Sequence, residues 1–168
     1  MRFSAQEEYG LRCLVALAKL GPGGSLTIPE ISKQEGMTPS HVAKLMAILR
    51  RAGFVKSTRG QLGGYTLAKS PAEMPIRAIL EPLGGRIFGD DFCLRYNGIE
   101  QECVHKTDCL IRPMWEQVQY AIDSVVNRYT LADIMESRIE SPPLKLAAAA
   151  GRPHPSAQAN WAMDVEKE

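Results

Sequence analysis

No stretch of this 168-residue chain approaches the roughly 18 consecutive apolar residues that a membrane span requires, so no membrane partner is expected. The charged, amphipathic N-terminus also lacks the apolar core of a secretory signal, which places the chain, as an expectation, in the cytoplasm. Three catalytic signatures are missing: a glycine fingerprint opening a helix, a nucleophile elbow, and a paired acid–base constellation. Nor is there length for a second, catalytic domain, so the chain is not expected to be an enzyme. Finally, none of the four cysteines forms a Cys-x-x-Cys pair. In a reducing compartment, clustered thiols point to metal ligation or redox sensing in preference to a disulfide framework.

What is present is enough hydrophobic residue, 45%, for one core, and an uneven charge distribution hidden by a net +1. Residues 1–70 carry ten Lys/Arg against four Asp/Glu, a balance of +6. Residues 71–137 carry six against eleven, a balance of −5, and residues 138–168 are neutral at four against four. The basic segment is also where the local signals are densest. Ser4-Ala5-Gln6-Glu7 is a capping box opening a helix with an apolar stripe of Leu11, Leu14, Val15 and Ala18, stopped at Gly21-Pro22. Thr27-Ile28-Pro29-Glu30 opens a short helix that ends at Gly36. Thr38 and Pro39 then launch a third helix, with Val42, Leu45, Met46 and Leu49 inward and Gly53 as its stop.

Two short helices across a glycine turn form a helix-turn-helix, whose second helix enters the major groove. Its outward N-terminal residues Ser40, His41 and Lys44 are the base-edge candidates. Arg50 and Arg51, at the far end, complement the helix dipole or meet phosphate. Two β-prone runs follow, 54–58 and 65–67, joined by the glycine-rich tip 59–64; this is a wing, and Arg59 at its tip is a candidate for the minor groove. A solvated basic face without a partner is the plainer alternative for these cations.

Ser70 to Glu73 caps a further turn, and Pro75 to Leu80 reads as a helix closed by Pro82 and Gly84-Gly85. Residues 84–108 show no period. Helical spacing returns from about Cys109 to Tyr129, with Met114, Val118, Ala121, Ile122, Val125 and Tyr129 along one side and Trp115 and Val126 widening it. So long an apolar face suits a homodimer, since helix-turn-helix proteins read palindromic operators on double-stranded DNA as two-fold dimers. Thr130 caps a last short helix to about Glu136, and a Pro- and Ala-rich tail follows, expected to be disordered. The organisation expected is a DNA-binding domain at 1–83, a cysteine loop at 84–108, a dimerisation helix with its terminal short helix at 109–137, and the tail at 138–168. The fold class is mostly α with a small β-hairpin wing: a winged helix-turn-helix plus a long dimerisation helix.

Cys93, Cys103 and Cys109 stand in and beside the aperiodic segment, with nine and five residues between them. Soft thiolates around an irregular loop can be gathered by an iron–sulfur cluster, whose coordinate bonds would replace the packing the loop lacks. Two alternatives stay open: a zinc site adding His105, and thiol oxidation without metal. Cys13, among core positions of the first helix, reads as a small buried hydrophobe.

Several segments resemble the Rrf2 family of bacterial transcriptional regulators. These are 1–4, 9–12, the helix end 31–36, the run 49–55, Arg59-Gly60, Gly63-Gly64-Tyr65 and the cysteine cluster. The resemblance spans residues 1 to about 137 and leaves the tail uncovered. It implies a winged-helix homodimer dimerising through a helix matching 109–129, and an iron–sulfur cluster, 4Fe-4S or 2Fe-2S, on Cys93, Cys103 and Cys109. Where IscR-like members carry a ligand histidine, three residues past the third cysteine, this chain has Arg112. NsrR-like members take an acidic ligand from the first helix across the dimer, a position matched by Glu8. A site-selecting glutamate in the recognition helix of IscR-like members is matched by Ala43. The resemblance thus implies a regulator whose operator affinity is switched by cluster state, through redox, nitric oxide or iron–sulfur status.

Overall fold

The computed structural model describes residues 4–58, 63–89, 92–100 and 102–139. Helix α1 (Ala5–Ala18) begins at a reciprocal cap: the Glu7 N–H donates to the Ser4 hydroxyl, and the Ser4 N–H donates to the Glu7 carboxylate at 2.7 Å. Its buried side is Gly10, Cys13, Leu14, Ala16 and Leu17. This corrects the expected stripe by one step round the helix, since Leu14 is enclosed while Leu11, Val15 and Ala18 are only half-buried. The cause is Gly10. A Cβ there would sit 2.5 Å from Leu83 Cδ1, so the missing side chain lets the fourth helix close against that side.

Helix α2 (Ile28–Glu35) starts at the Thr27–Glu30 box and ends at Gly36 with φ +66°. The turn to α3 (Pro39–Arg51) is fixed by Ser32, whose hydroxyl donates to the Met37 carbonyl and whose own carbonyl accepts the Met37 N–H. Val42, Leu45, Met46 and Leu49 are all at 0% exposure, as the i, i+3, i+4, i+7 spacing requires. Strands β1 (Val55–Thr58) and β2 (Gly64–Leu67) pair antiparallel, Val55 opposite Leu67 and Thr58 opposite Gly64. Leu26 adds a one-residue bridge by exchanging two backbone hydrogen bonds with Tyr65, which ties the wing to the entrance of α2.

After one 3-10 turn at Pro71–Glu73, α4 (Ile76–Leu83) runs past Pro82. The expected closure at that proline is therefore corrected. A proline in the final turn forfeits one internal bond, and the helix ends one residue later, where Gly84 N–H meets the Leu80 carbonyl. Within the aperiodic segment lies one helical turn, α5 (Phe92–Arg95). Helix α6 (Arg112–Val126) starts three residues later than its apolar spacing suggests, with Pro113 in its first turn, and stops at Asn127. Thr130 caps α7 (Leu131–Met135), and Leu131 enters the main core at 0% exposure. The chain is drawn back there by paired bonds, Ile76 N–H to Tyr129 O and Leu131 N–H to Met74 O, both 2.9 Å.

One core thus serves α1, α2, α3, the wing base, α4 and α7. Helix α6 stands largely outside it: Gln119 is its one buried residue, while Met114 and Val125 remain more than half exposed at 52% and 54%. Among the described residues no helix is long and apolar enough to cross a membrane. The wing tip with Arg59, Asp90, Asp91, Gln101 and the tail from residue 140 lie outside the described residues.

Candidate nucleic-acid interface and cysteine site

Burying Val42, Leu45, Met46 and Leu49 commits one face of α3, so the opposite face must be presented outward. Ser40 and Lys44 are exposed there, one turn apart, and Arg50 and Arg51 are exposed at the C-terminal end, where their charge complements the helix dipole. Arg50 Nη1 also reaches Ser57 Oγ on β1 at 3.4 Å, linking the end of the helix to the wing. No acidic residue occurs anywhere on α3. His41 differs from its neighbours. It stands one turn before Leu45 and is half-buried, its ring edge-on to Tyr9 at 5.5 Å with Nε2 enclosed and unpartnered. The sequence carried a signal for this, since position 41 flanks the apolar stripe. The structure therefore places Ser40, Lys44, Arg50 and Arg51 on open surface and turns the His41 ring toward α1.

Cys93 comes from α5 and Cys103 and Cys109 from the two ends of the turn that follows, and all three line one cavity of about 80 Å³ with Phe88, Phe92, Tyr96, Ile111, Arg112 and Trp115. Cys93 arrives on α5, whose start is fixed by Phe92 N–H to Gly89 O at 2.9 Å. Cys103 opens a tight turn closed by Lys106 N–H to Cys103 O at 3.1 Å. Cys109 ends that turn just ahead of α6, and Arg112 braces it from the helix by donating to the Lys106 carbonyl at 2.7 Å. Phe92 packs on Phe88, Tyr96 and Trp115 with centroids 4.8, 4.8 and 5.9 Å apart, giving the thiols an aromatic wall. Trp115, expected only to widen the apolar stripe of α6, faces this cavity.

All three are free thiols and half-buried. Among the described residues no three His, Cys, Asp or Glu side chains converge closely enough to hold a metal ion as placed. The donor chemistry nonetheless fits a soft, sulfur-preferring centre: three cysteines share the cavity, and none of its described lining residues is His, Asp or Glu. His105 points elsewhere, pairing with Asp108 at 3.6 Å in the open. Glu8 does not line this cavity either. It pairs with Arg12 at 2.8 Å along a groove on α1 lined also by Leu11, Val15, Glu35 and Ile134. Cys13 is sealed in the core at 0% exposure, and burial pushes its thiol up to about 12.

The sequence reading missed a polar cluster behind the cavity, in which Asp123 of α6 meets Arg86 at 2.6 Å and Arg77 at 3.4 Å, with Gln119 one turn away. Its one sequence signal was the Gln–Asp pair at i, i+4 interrupting an apolar stripe.

Comparison with known proteins agrees with this fold. Residues 3–137 match the Rrf2 family, described as iron-dependent transcriptional regulators. The transcriptional regulator NsrR of Geobacillus kaustophilus is 30% identical over 138 residues, covering 82% of this chain and 92% of its own. The IscR structure from T. potens superposes with a TM-score of 0.62 at 26% identity, over 91% of this chain and 94% of that one. CymR, the global cysteine regulator of B. subtilis, superposes at 0.61 with 25% identity, over 83% and 99%. The chain is a DNA-binding transcriptional regulator and belongs to the Rrf2 family.

Proposed function

We propose that the protein is an iron–sulfur-dependent regulator that binds palindromic operators as a homodimer and whose operator affinity follows the state of a cluster on Cys93, Cys103 and Cys109. The observation that carries this is that Cys93, Cys103 and Cys109 all line one aromatic-walled cavity. Glu8 of a second copy is the proposed fourth ligand: it stands on an open groove of α1 and cannot serve its own chain's cavity as placed. Helix α6, with Met114 and Val125 exposed and Leu110 and Ile111 bare just before it, is the proposed dimer face. The organisation would be a DNA-binding unit at 1–83, a cysteine loop at 84–108 and a dimer element at 109–137, working in the cytoplasm.

Base readout falls to Ser40, Lys44 and His41, with phosphate contacts from Arg50 and Arg51 and a minor-groove contact from Arg59. A bound cluster would supply coordinate bonds and a centre responsive to oxidation or nitric oxide. The chain's own part is to order the loop between Cys93 and Cys109 and to hold α6 against the winged-helix unit.

The three free thiols in one cavity also suit a cluster-free regulator that senses thiol oxidation. Anaerobic purification separates the two. Cluster dependence predicts brown protein with acid-labile sulfide in proportion to iron, and pale Cys93→Ala, Cys103→Ala and Cys109→Ala variants with altered operator affinity. Colourless, sulfide-free protein whose operator binding responds to peroxide and dithiothreitol would favour thiol oxidation instead.

A further inference from the structure

Gln119 is 4% exposed on a helix whose other residues are all at least partly open, and its amide ties α6 to the loop at Phe88. Its Oε1 accepts the Phe88 N–H at 3.0 Å, and its Nε2 donates to Asp123 Oδ1 at 3.0 Å. Asp123 takes Arg86 Nη2 at 2.6 Å on one oxygen and Arg77 Nε at 3.4 Å on the other. Arg77 belongs to α4, whose Ile79 and Leu83 share a core with the apolar stripe of α3. Arg86 and Phe88 belong to the loop leading into the cysteine cavity, and Phe88 forms part of its wall. One polar cluster therefore connects the DNA-binding unit, α6 and the cavity.

Packing alone gives no reason for an amide at that position, because an apolar side chain of similar size would fill it without any bonding requirement. A hydrogen-bonded amide does something a leucine cannot: it specifies one arrangement, since its bonds weaken steeply when partners move by more than a few tenths of an ångström or tilt away. The Phe88 N–H is thus anchored to α6 only while the cavity wall keeps its present position. If the wall shifts, Gln119 loses its donor, and Asp123 is free to redistribute between the arginine of the loop and that of α4.

We infer that Gln119 and Asp123 are positioning residues that transmit the state of the cysteine cavity to α4 and hence to α3. This rests on the proposed cluster-dependent function, and it adds the route by which the cavity and the DNA-binding face are coupled.

The test compares operator affinity of cluster-loaded and cluster-stripped full-length protein by fluorescence anisotropy. For the wild type, coupling of ordinary size gives a ratio of about 5–150-fold. Gln119→Leu and Asp123→Asn are expected to keep wild-type iron and sulfide content and wild-type affinity in the stripped form, while the ratio falls to within about twofold of unity. Gln119→Leu should also speed exchange of the Phe88 amide hydrogen in the stripped protein. The double variant Gln119→Glu with Asp123→Asn turns the oxygen that accepts both Gln119 and Arg77 into a donor, so it should leave the ratio near unity as the single variants do. Variants that stay loaded and keep the wild-type ratio would overturn the inference. So would variants that shed the cluster or weaken both forms equally, which marks a purely structural role. A wild type with no cluster, or with a ratio of one, would instead remove the functional reading on which the inference stands.

Discussion

Cys13 and the other three cysteines differ by enclosure. Cys13 has no exposed surface and its thiol is pushed up to about 12 by burial, whereas Cys93, Cys103 and Cys109 are half-buried around an open loop. Native, metal-free protein treated with iodoacetamide should therefore be labelled at Cys93, Cys103 and Cys109 and spared at Cys13, with the fourth label appearing only in denaturant. Peptide mapping that finds Cys13 labelled in the native state would contradict the core packing. Burial also has a pH signature. Because the folded protein holds the Cys13 proton more tightly than the unfolded chain does, its contribution is intact below pH 9 and declines as pH rises toward 12. A Cys13→Val variant should flatten that alkaline decline in denaturation midpoints relative to wild type. Gly10 makes a different residue-scale demand: a side chain there meets Leu83, so Gly10→Val should cost about 1–3 kcal/mol in urea unfolding.

Among the elements, α3 and α6 carry the proposed DNA and dimer contacts. Lys44→Ala should lower discrimination between operator and mutated operator by about 1–3 kcal/mol, as loss of a base contact does. Arg51→Ala should instead weaken binding to all sequences alike and reduce the slope of log affinity against log salt by about one per protomer. Several helix ends were announced by the sequence: the boxes at Ser4 and Thr27, the cap at Thr130, Pro39 after Thr38, and Gly36 with positive φ all stand where local chemistry asked for them, whereas the end of α4 and the start of α6 do not. The same caps hold the carboxyls of Glu30, Glu73 and Asp133 below their ordinary range, through hydrogen bonds from Thr27, Ser70 and Thr130. Their support is present at neutral pH and lost as pH falls through the carboxylate range. Less legible were features that depend on partners far along the chain. The rotated face of α1 follows from Leu83 closing on Gly10, and the inward turn of His41 follows from Tyr9. The polar cluster at Asp123 draws arginines from two other segments, so the local Gln119–Asp123 pair announced only its α6 part.

In the whole molecule, a basic winged-helix unit is joined to an outlying helix by a loop that gathers three thiols. Cys93, Cys103 and Cys109 line one cavity, and the aromatic wall that closes it comes from residues the periodicity had assigned elsewhere or to no element. The exposed apolar side of α6 is the proposed dimer contact. A Met114→Glu and Val125→Glu double variant should sediment as a folded monomer, since a two-fold contact meets each introduced charge twice. The most direct test of the central claim is native mass spectrometry of anaerobically prepared full-length protein. The account predicts a dimer whose added mass is one iron–sulfur cluster per chain, absent in the Cys103→Ala variant. A bare polypeptide, or a monomer carrying a single zinc ion, would contradict it.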